Sequence, residues 1–100
     1  FFDKNKFNLM KKNSYLINTS RGEIVDQEIL FEYLKSNKIK GAAIDVLQNE
    51  HSKNKIKYLL KATNKLSNLI VTPHIAGLTK ESIQLTDMFV INKFIRELKK

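Results

Sequence analysis

The feature that most constrains the fold of this chain is an alternation of short apolar runs with segments of helical periodicity. Three apolar runs each end in polar residues, at positions 14–18, 41–46 and 68–72. Apolar residues at helical spacing follow each run, in segments 26–37, 54–63 and 79–98. Continuous apolar strands that alternate with helices are typical of a parallel sheet covered by helices on both faces. The sequence therefore predicts an α/β fold with three parallel strands, flanking helices and a long C-terminal helix.

The predicted helices have recognisable starts and faces. Asp26 and Thr79 stand where N-caps are expected, because their side-chain oxygens can accept a hydrogen bond from a first-turn backbone N–H. The middle helix is predicted from Ile56, Leu59 and Leu60. The last helix carries an apolar stripe that is too broad to be left exposed to water. It consists of Ile83, Met88, Phe89, Val90, Ile91, Phe94, Ile95 and Leu98. We expect part of this stripe to pack on a surface beyond the chain's own core.

Composition and charge narrow the class of protein. The 100 residues are 42% hydrophobic, which is enough for one small domain. The net charge is +8, but 16 of the 18 basic residues are lysines scattered along the chain, whereas nucleic-acid surfaces concentrate charge and favour arginine. We therefore expect no nucleic-acid partner. No apolar run approaches the roughly 18 residues of a membrane span, so we expect no membrane partner either. The absence of cysteine agrees with a cytoplasmic location and leaves any redox chemistry to a cofactor.

The candidate functional residues all follow the predicted strands. Arg21 follows the first apolar run, Asp45 and Glu50 end or follow the second, and His74 follows the third. Because ligands bind beyond the carboxyl ends of parallel strands, we expect these side chains to converge at one edge of the sheet. An arginine offers a planar fork of donors for a carboxylate. A histidine with an acidic partner is a competent proton donor near neutral pH. Reduction of a 2-keto acid requires these groups.

Each of these residues also has a purely structural interpretation when it is considered alone. Arg21 could be a surface charge, Asp45 a helix or turn cap, Glu50 a solvated side chain and His74 a structural loop histidine. A second histidine, His51, competes with His74 for a catalytic role, although it lacks the Pro-His-x-x-Gly context. The shared position at successive strand ends is what favours the functional interpretation.

Three blocks of the sequence resemble the motifs of the D-isomer-specific 2-hydroxyacid dehydrogenase family. Residues 17–26, Ile-Asn-Thr-Ser-Arg-Gly-Glu-Ile-Val-Asp, resemble its Ile-Asn-x-x-Arg-Gly-x-x-Val-Asp signature. Residues 41–46, Gly-Ala-Ala-Ile-Asp-Val, with Glu50 after them, resemble its Gly-Ala-Ala-Leu-Asp-Val block and the glutamate that follows. Residues 72–77, Thr-Pro-His-Ile-Ala-Gly, resemble its third block. The resemblance covers nearly the whole chain in the family's order.

The resemblance implies a role for each matching residue. Arg21 would hold the substrate carboxylate and polarise its carbonyl, His74 would give or take the hydroxyl proton, and Glu50 would pair with His74. The nicotinamide end of an NAD cofactor would be lined by Thr19, Ser20, Arg21, Asp45, His74, Ile75, Ala76 and Gly77. Asp45 would bind the nicotinamide carboxamide. No metal is implied. The substrate would be a small 2-hydroxy or 2-keto acid, and the full-length enzyme would be a homodimer.

The resemblance also implies that this chain holds only part of the enzyme. Residues 1–78 would form the C-terminal half of a Rossmann-type NAD-binding domain, and residues 79–100 a long helix that returns toward the substrate domain. The only glycines are Gly22, Gly41 and Gly77, so these 100 residues contain no Gly-x-Gly-x-x-Gly phosphate-binding loop. We therefore expect the isolated chain to be inactive.

The sequence departs from the family's pattern after Glu50, and one alternative function stays open. The family usually has proline after the glutamate, whereas this sequence has Glu50-His51, so the loop there is expected to be looser. The family also has members that resemble transcriptional corepressors, which use the same fold as an NAD-sensing, non-catalytic protein-interaction module. Retention of Arg21, Glu50 and His74 argues for catalysis without excluding that module.

Overall fold

Strands and helices alternate along the chain in the computed structural model, which describes residues 1–100 except for the side chains of Lys55 and Leu59. The strands are β1 (Tyr15–Asn18), β2 (Gly41–Ile44) and β3 (Leu69–Val71). The helices are α1 (Lys4–Asn8), α2 (Gln27–Lys35), α3 (Lys53–Thr63) and α4 (Lys80–Leu98), and a short 3-10 helix spans Gly22–Ile24. The predicted α/β fold is confirmed.

The sheet is parallel, with strand order β1-β2-β3. The last residues of the strands lie in register, because Asn18 pairs with Ile44 and Ile44 pairs with Val71. The three following loops therefore leave the sheet at one edge, and this alignment positions the candidate site.

The core lies on one face of the sheet only. Alternate strand residues point toward α1, α2 and α3 and are buried with Phe7, Leu30 and Leu34. The opposite face is open, with Ile17 73% and Ile70 65% exposed. The prediction of a sheet covered on both faces is therefore wrong for these residues. Because crossovers between parallel strands are right-handed, the order β1-β2-β3 places both connecting helices on the same face.

Helix α2 begins and ends close to the predicted positions. The Asp26 carboxylate accepts a hydrogen bond from the Ile29 backbone N–H at 3.2 Å, which confirms the predicted N-cap. The helix ends at Lys35, and Asn37 then adopts a left-handed conformation with φ 53°. Such a residue after the last turn stops a helix.

Helix α1 was not predicted, although it contributes to the core. Asp3 accepts a hydrogen bond from the Lys6 backbone N–H and caps the helix, and Phe7 is buried. The Phe7 ring lies 4.9 Å from the Phe2 ring and 5.1 Å from the Tyr33 ring between centroids. A five-residue helix has too few turns for its periodicity to be recognised in the sequence.

The predicted cap of α4 is confirmed, because the Thr79 hydroxyl accepts a hydrogen bond from the Ser82 backbone N–H at 3.1 Å. None of the residues of α4, all of which the structure describes, is buried. The whole apolar stripe of α4 is thus available for a surface outside this chain. In α3 the predicted apolar residue Leu59 has a side chain outside the described part of the structure. Within the described residues, no helix combines the length and the apolar character needed to cross a membrane.

Candidate active site

The first loop of the site is held by a buried asparagine. Asn18 is 6% exposed, and its side-chain amide nitrogen donates to the Arg21 carbonyl at 3.0 Å. Its oxygen accepts hydrogen bonds from the backbone N–H and the hydroxyl of Ser20, both at 3.1 Å. These bonds fold the loop back on the end of β1 and leave the side chain of Arg21 exposed. One Arg21 nitrogen donates to the Ser20 carbonyl at 2.7 Å, so most of its five N–H groups remain for a ligand.

Gly22 brings the first loop against the second. A Cβ built on Gly22 would lie 2.1 Å from the carbonyl carbon of Leu47 and 2.4 Å from the backbone nitrogen of Gln48. No side chain fits at this distance from another backbone segment. The Gln48 N–H also donates to the side chain of Gln27 at 3.1 Å, which ties the second loop to α2.

Glu50 and His74 form the central contact of the site. The Nδ1 atom of His74 lies 2.8 Å from Oε2 of Glu50, and Oε1 of Glu50 accepts the Leu47 backbone N–H at 2.9 Å. An ionised carboxylate only accepts, so the geometry assigns the proton to Nδ1 and leaves Nε2 free. The His74 ring and the Leu47 N–H, in that order, hold the pKa of the Glu50 carboxyl below its ordinary value.

This pair is suited to orienting a ring rather than to stabilising the fold. The side chain of His74 is 52% exposed and that of Glu50 is 28% exposed. Ion pairs this accessible to water contribute about 1 kcal/mol or less. The contact is nevertheless specific, since it fixes which ring nitrogen faces away from Glu50.

Two cavities meet at the Glu50–His74 pair. One, of about 640 Å³, is lined by Arg21 together with the pair and also by His51. The other, of about 540 Å³, adds Asp45 to the pair and is otherwise mainly apolar, with Ile56, Leu60, Val71 and Pro73 in its wall. The pair therefore lies between two cavities, of which the one that contains Arg21 is the more polar.

Asp45 is buried at 5% exposure and holds the third loop. Its Oδ1 accepts hydrogen bonds from the Thr72 hydroxyl and the Ile75 backbone N–H, and its Oδ2 accepts one from the Ala76 backbone N–H. The Thr72 hydroxyl first, and the Ala76 N–H second, keep the pKa of the Asp45 carboxyl below its ordinary value. Within this chain Asp45 therefore caps the turn of the third loop, as the structural interpretation of this residue predicted.

The structure brings most of the predicted residues together. Arg21, Glu50 and His74 line one cavity, and Asp45 lines the adjoining one. Ile75 and Ala76 approach the site through their backbone N–H groups. The remaining predicted cofactor residues lie on the surface of the loops, where Thr19, Ser20 and Gly77 are exposed. Their roles and the roles of the other residues stay predictions.

Two residues that hold the loops of the site were not identified as such from the sequence. Asn18 folds the Arg21 loop, and Thr72 bonds to Asp45. Both could have been recognised in the sequence, because each is a polar residue at the end of an apolar strand. A polar side chain in that position can form a hydrogen bond with the turn that follows. His51 lines the arginine cavity, but the histidine in contact with Glu50 is His74.

Comparison with known proteins identifies the family of the chain. Residues 1–76 match the family described as "D-isomer specific 2-hydroxyacid dehydrogenase, NAD binding domain". A protein of Staphylococcus saprophyticus, whose name assigns it provisionally to the 2-hydroxyacid dehydrogenases, is 41% identical over 96 residues. Those residues are 96% of this chain and 28% of the relative, so the chain spans less than a third of that protein's length.

Solved structures with bound cofactor are also similar. The D-lactate dehydrogenase of Lactobacillus jensenii with NAD+ gives a TM-score of 0.71 at 36% identity, covering 81% of this chain and 27% of that one. The NAD-complexed D-isomer specific 2-hydroxyacid dehydrogenase of Lactobacillus delbrueckii ssp. bulgaricus gives 0.70 at 35% identity, covering 90% and 32%. With the family match over residues 1–76, this places the chain among the D-isomer specific 2-hydroxyacid dehydrogenases, as part of their NAD-binding domain.

Proposed function

We propose that this chain supplies the acid–base pair and the carboxylate-binding arginine of an NAD-dependent D-2-hydroxyacid dehydrogenase. The observation that carries the proposal is the 2.8 Å contact between Glu50 and His74 in the wall of a cavity that Arg21 also lines. The substrate is a small 2-hydroxy acid or the corresponding 2-keto acid. The non-catalytic alternative has no support in the comparisons, because the relatives named above are all dehydrogenases.

The residues at the nicotinamide end are compatible with NAD. Asp45 accepts three hydrogen bonds from its own chain, and a carboxylate offers about four lone-pair directions. One direction therefore remains for the amide of a nicotinamide. NADH held there would supply a hydride to C2 of the substrate.

The proposed reduction assigns one task to each residue. Arg21 binds the substrate carboxylate with two parallel N–H groups and polarises the adjacent carbonyl. His74 donates the proton from Nε2 to the carbonyl oxygen as the C2–H bond forms, so that the ketone becomes an alcohol. Glu50 accepts the Nδ1–H and so orients the ring, whose imidazolium form carries on Nε2 the proton that is transferred. Oxidation runs the same steps in reverse.

Activity is best tested in a chimera, because the chain covers 32% of the L. delbrueckii enzyme. In this chimera the present chain replaces the aligned segment of that enzyme, so Arg21, Glu50 and His74 all come from the present chain. We expect NADH-dependent reduction of 2-keto acids. A chimera that is folded and binds NADH but reduces no 2-keto acid would contradict the proposal.

His74→Ala in the chimera should reduce kcat by roughly a hundred- to ten-thousandfold, because a positioned proton donor is lost. His51→Ala is the matched control, since His51 lines the same cavity without contacting Glu50 in the way that His74 does. A larger loss of kcat in His51→Ala than in His74→Ala would transfer the acid–base role to His51.

Arg21→Lys should lower kcat/KM for 2-keto acids by roughly ten- to hundredfold, because an ammonium cannot reproduce a two-pronged contact with a carboxylate. Arg96→Lys is the control, since Arg96 lies on the exposed helix α4. Equal kcat/KM values for Arg21→Lys and the unmodified chimera would remove Arg21 from the substrate site.

A further inference from the structure

One buried carboxylate is hydrogen-bonded to a side chain before His74 and to the backbone after it. Asp45 accepts hydrogen bonds from the Thr72 hydroxyl and from the backbone N–H groups of Ile75 and Ala76, the latter two at 3.0 Å each. Thr72 precedes His74 and the other two residues follow it. The carboxylate therefore fixes the path of the chain into and out of His74.

His74 itself has an unusual backbone conformation. Its φ angle is 56°, in the left-handed region that few residues with a side chain adopt. Its N–H donates to the carbonyl of Thr72 at 3.0 Å, which closes a tight turn. A backbone in this region persists only where the surrounding contacts determine it. In this loop the contacts with Asp45 are the ones that span the turn.

We infer that Thr72 and Asp45 are positioning residues, which hold His74 in the left-handed turn from which its ring reaches Glu50. The effect on catalysis rests on the proposed function. The effect on the position of the His74 ring does not. This positioning role gives Asp45 a task that does not depend on a bound nicotinamide. It also gives a task to Thr72, which does not line the cavity that contains Arg21.

The structural part can be tested in the 100-residue chain without any substrate. Thr72→Val removes the hydroxyl at nearly constant volume, and Thr72→Ser retains it. The 15N chemical shifts of the His74 ring, and the NOE between the ring and the Glu50 side chain, report whether Nδ1 remains bonded to Glu50. Thr86→Val is the matched control, because the Thr86 hydroxyl bonds within the exposed helix α4.

We expect Thr72→Ser and Thr86→Val to keep the paired His74 ring. Thr72→Val should reduce the ratio of paired to unpaired ring about tenfold or more, since a hydrogen bond to a charged group is lost. Asp45→Asn, which replaces one acceptor oxygen by an NH2 donor, should have the same effect if Thr72→Val does not fold. An unchanged His74–Glu50 contact in either folded variant overturns the inference.

The chimera separates this inference from the proposed function. Thr72→Val should lower kcat about tenfold or more with little change in KM, and Thr72→Ser should restore kcat. Loss of the His74–Glu50 contact with an unchanged kcat would leave the positioning role intact and contradict the acid–base role of the pair. A retained contact with a lower kcat would contradict the positioning role instead.

Discussion

At the scale of single residues, two carboxylates tie the site loops together in their ionised forms. The pKa of Asp45 is lowered chiefly by the Thr72 hydroxyl, and that of Glu50 chiefly by the His74 ring. Both pKa values are lower in the folded chain than in the unfolded one. The stability they contribute is therefore present above the unfolded value, about pH 4, and is lost as the pH falls through the lower folded value.

This linkage gives a residue-level prediction for Asp45. A 13C NMR titration of its carboxyl in the folded chain should give a pKa below the ordinary value of about 3.9, and Thr72→Val should raise it toward that value. Thr86→Val is again the control. An Asp45 carboxyl that titrates at its ordinary value in the unsubstituted chain would show that the Thr72 and Ala76 hydrogen bonds are absent in solution.

The sequence predicted that the candidate residues would lie together and that Glu50 would contact His74, but it did not predict how the third loop is held. Arg21, Glu50 and His74 could be placed together because parallel strands align their carboxyl ends. The bond from Thr72 to Asp45 could not be predicted, because it depends on the turn at His74. The sequence does not indicate which residue of this loop is left-handed, because positive φ is uncommon for every residue other than glycine, including histidine.

At the scale of elements, the first two loops approach each other so closely that position 22 has no room for a side chain. Gly22→Ala places a Cβ against the backbone of Leu47, so it should destabilise the chain by about 1–3 kcal/mol through forced displacement. The melting temperature should fall by roughly 4–8 °C for each kcal/mol. Gly77→Ala is the matched control for stability, because its Cβ meets nothing within 4 Å. Equal melting temperatures for the two variants would mean that the loops do not touch.

The strands and helices were predictable from periodicity, whereas the coverage of the sheet was not. Apolar residues occupy the first three of the four positions of β1 and every position of β3. They indicate burial on both faces, which is the pattern of a strand inside a larger α/β sheet. Within this chain both crossover helices lie on the face of Leu16 and Leu69. The open face of Ile17 and Ile70 is consistent with a chain that spans about 28% of a relative's length.

At the scale of the whole molecule, two apolar surfaces are open to water. One is the row formed by Ile17, Ala43 and Ile70 across the three strands, and the other is helix α4, where Phe89 is 69% exposed. Apolar surfaces of this kind promote association. The isolated chain should therefore self-associate as its concentration rises, which sedimentation velocity measures. A monomer at all concentrations would contradict this expectation.

Paired substitutions distinguish the contributions of the two apolar surfaces to self-association. Ile17→Thr with Ile70→Thr makes the sheet face polar and keeps residues that favour strands. Phe89→Gln with Phe94→Gln makes α4 polar. We propose that α4 returns to a substrate domain in the full enzyme, so the α4 pair should reduce self-association of the isolated chain while leaving the fold of the sheet unchanged.

Cofactor affinity is also a property of the whole molecule. The 100 residues contain no Gly-x-Gly-x-x-Gly loop to bind a pyrophosphate. Calorimetric titration of the isolated chain with NADH should therefore show weak or undetectable binding, whereas the chimera should bind NADH. Submicromolar binding by the isolated chain would reveal a different phosphate site.

The pH–rate profile of Glu50→Gln beside the unsubstituted chimera tests the acid–base pair most directly. If Glu50 holds His74 in its working orientation, Glu50→Gln should retain measurable keto-acid reduction with a changed profile, because the amide no longer offers Nδ1 of His74 an ionised acceptor. Superimposable profiles would show that Glu50 is not the functional partner of His74 and would contradict the account at its central contact.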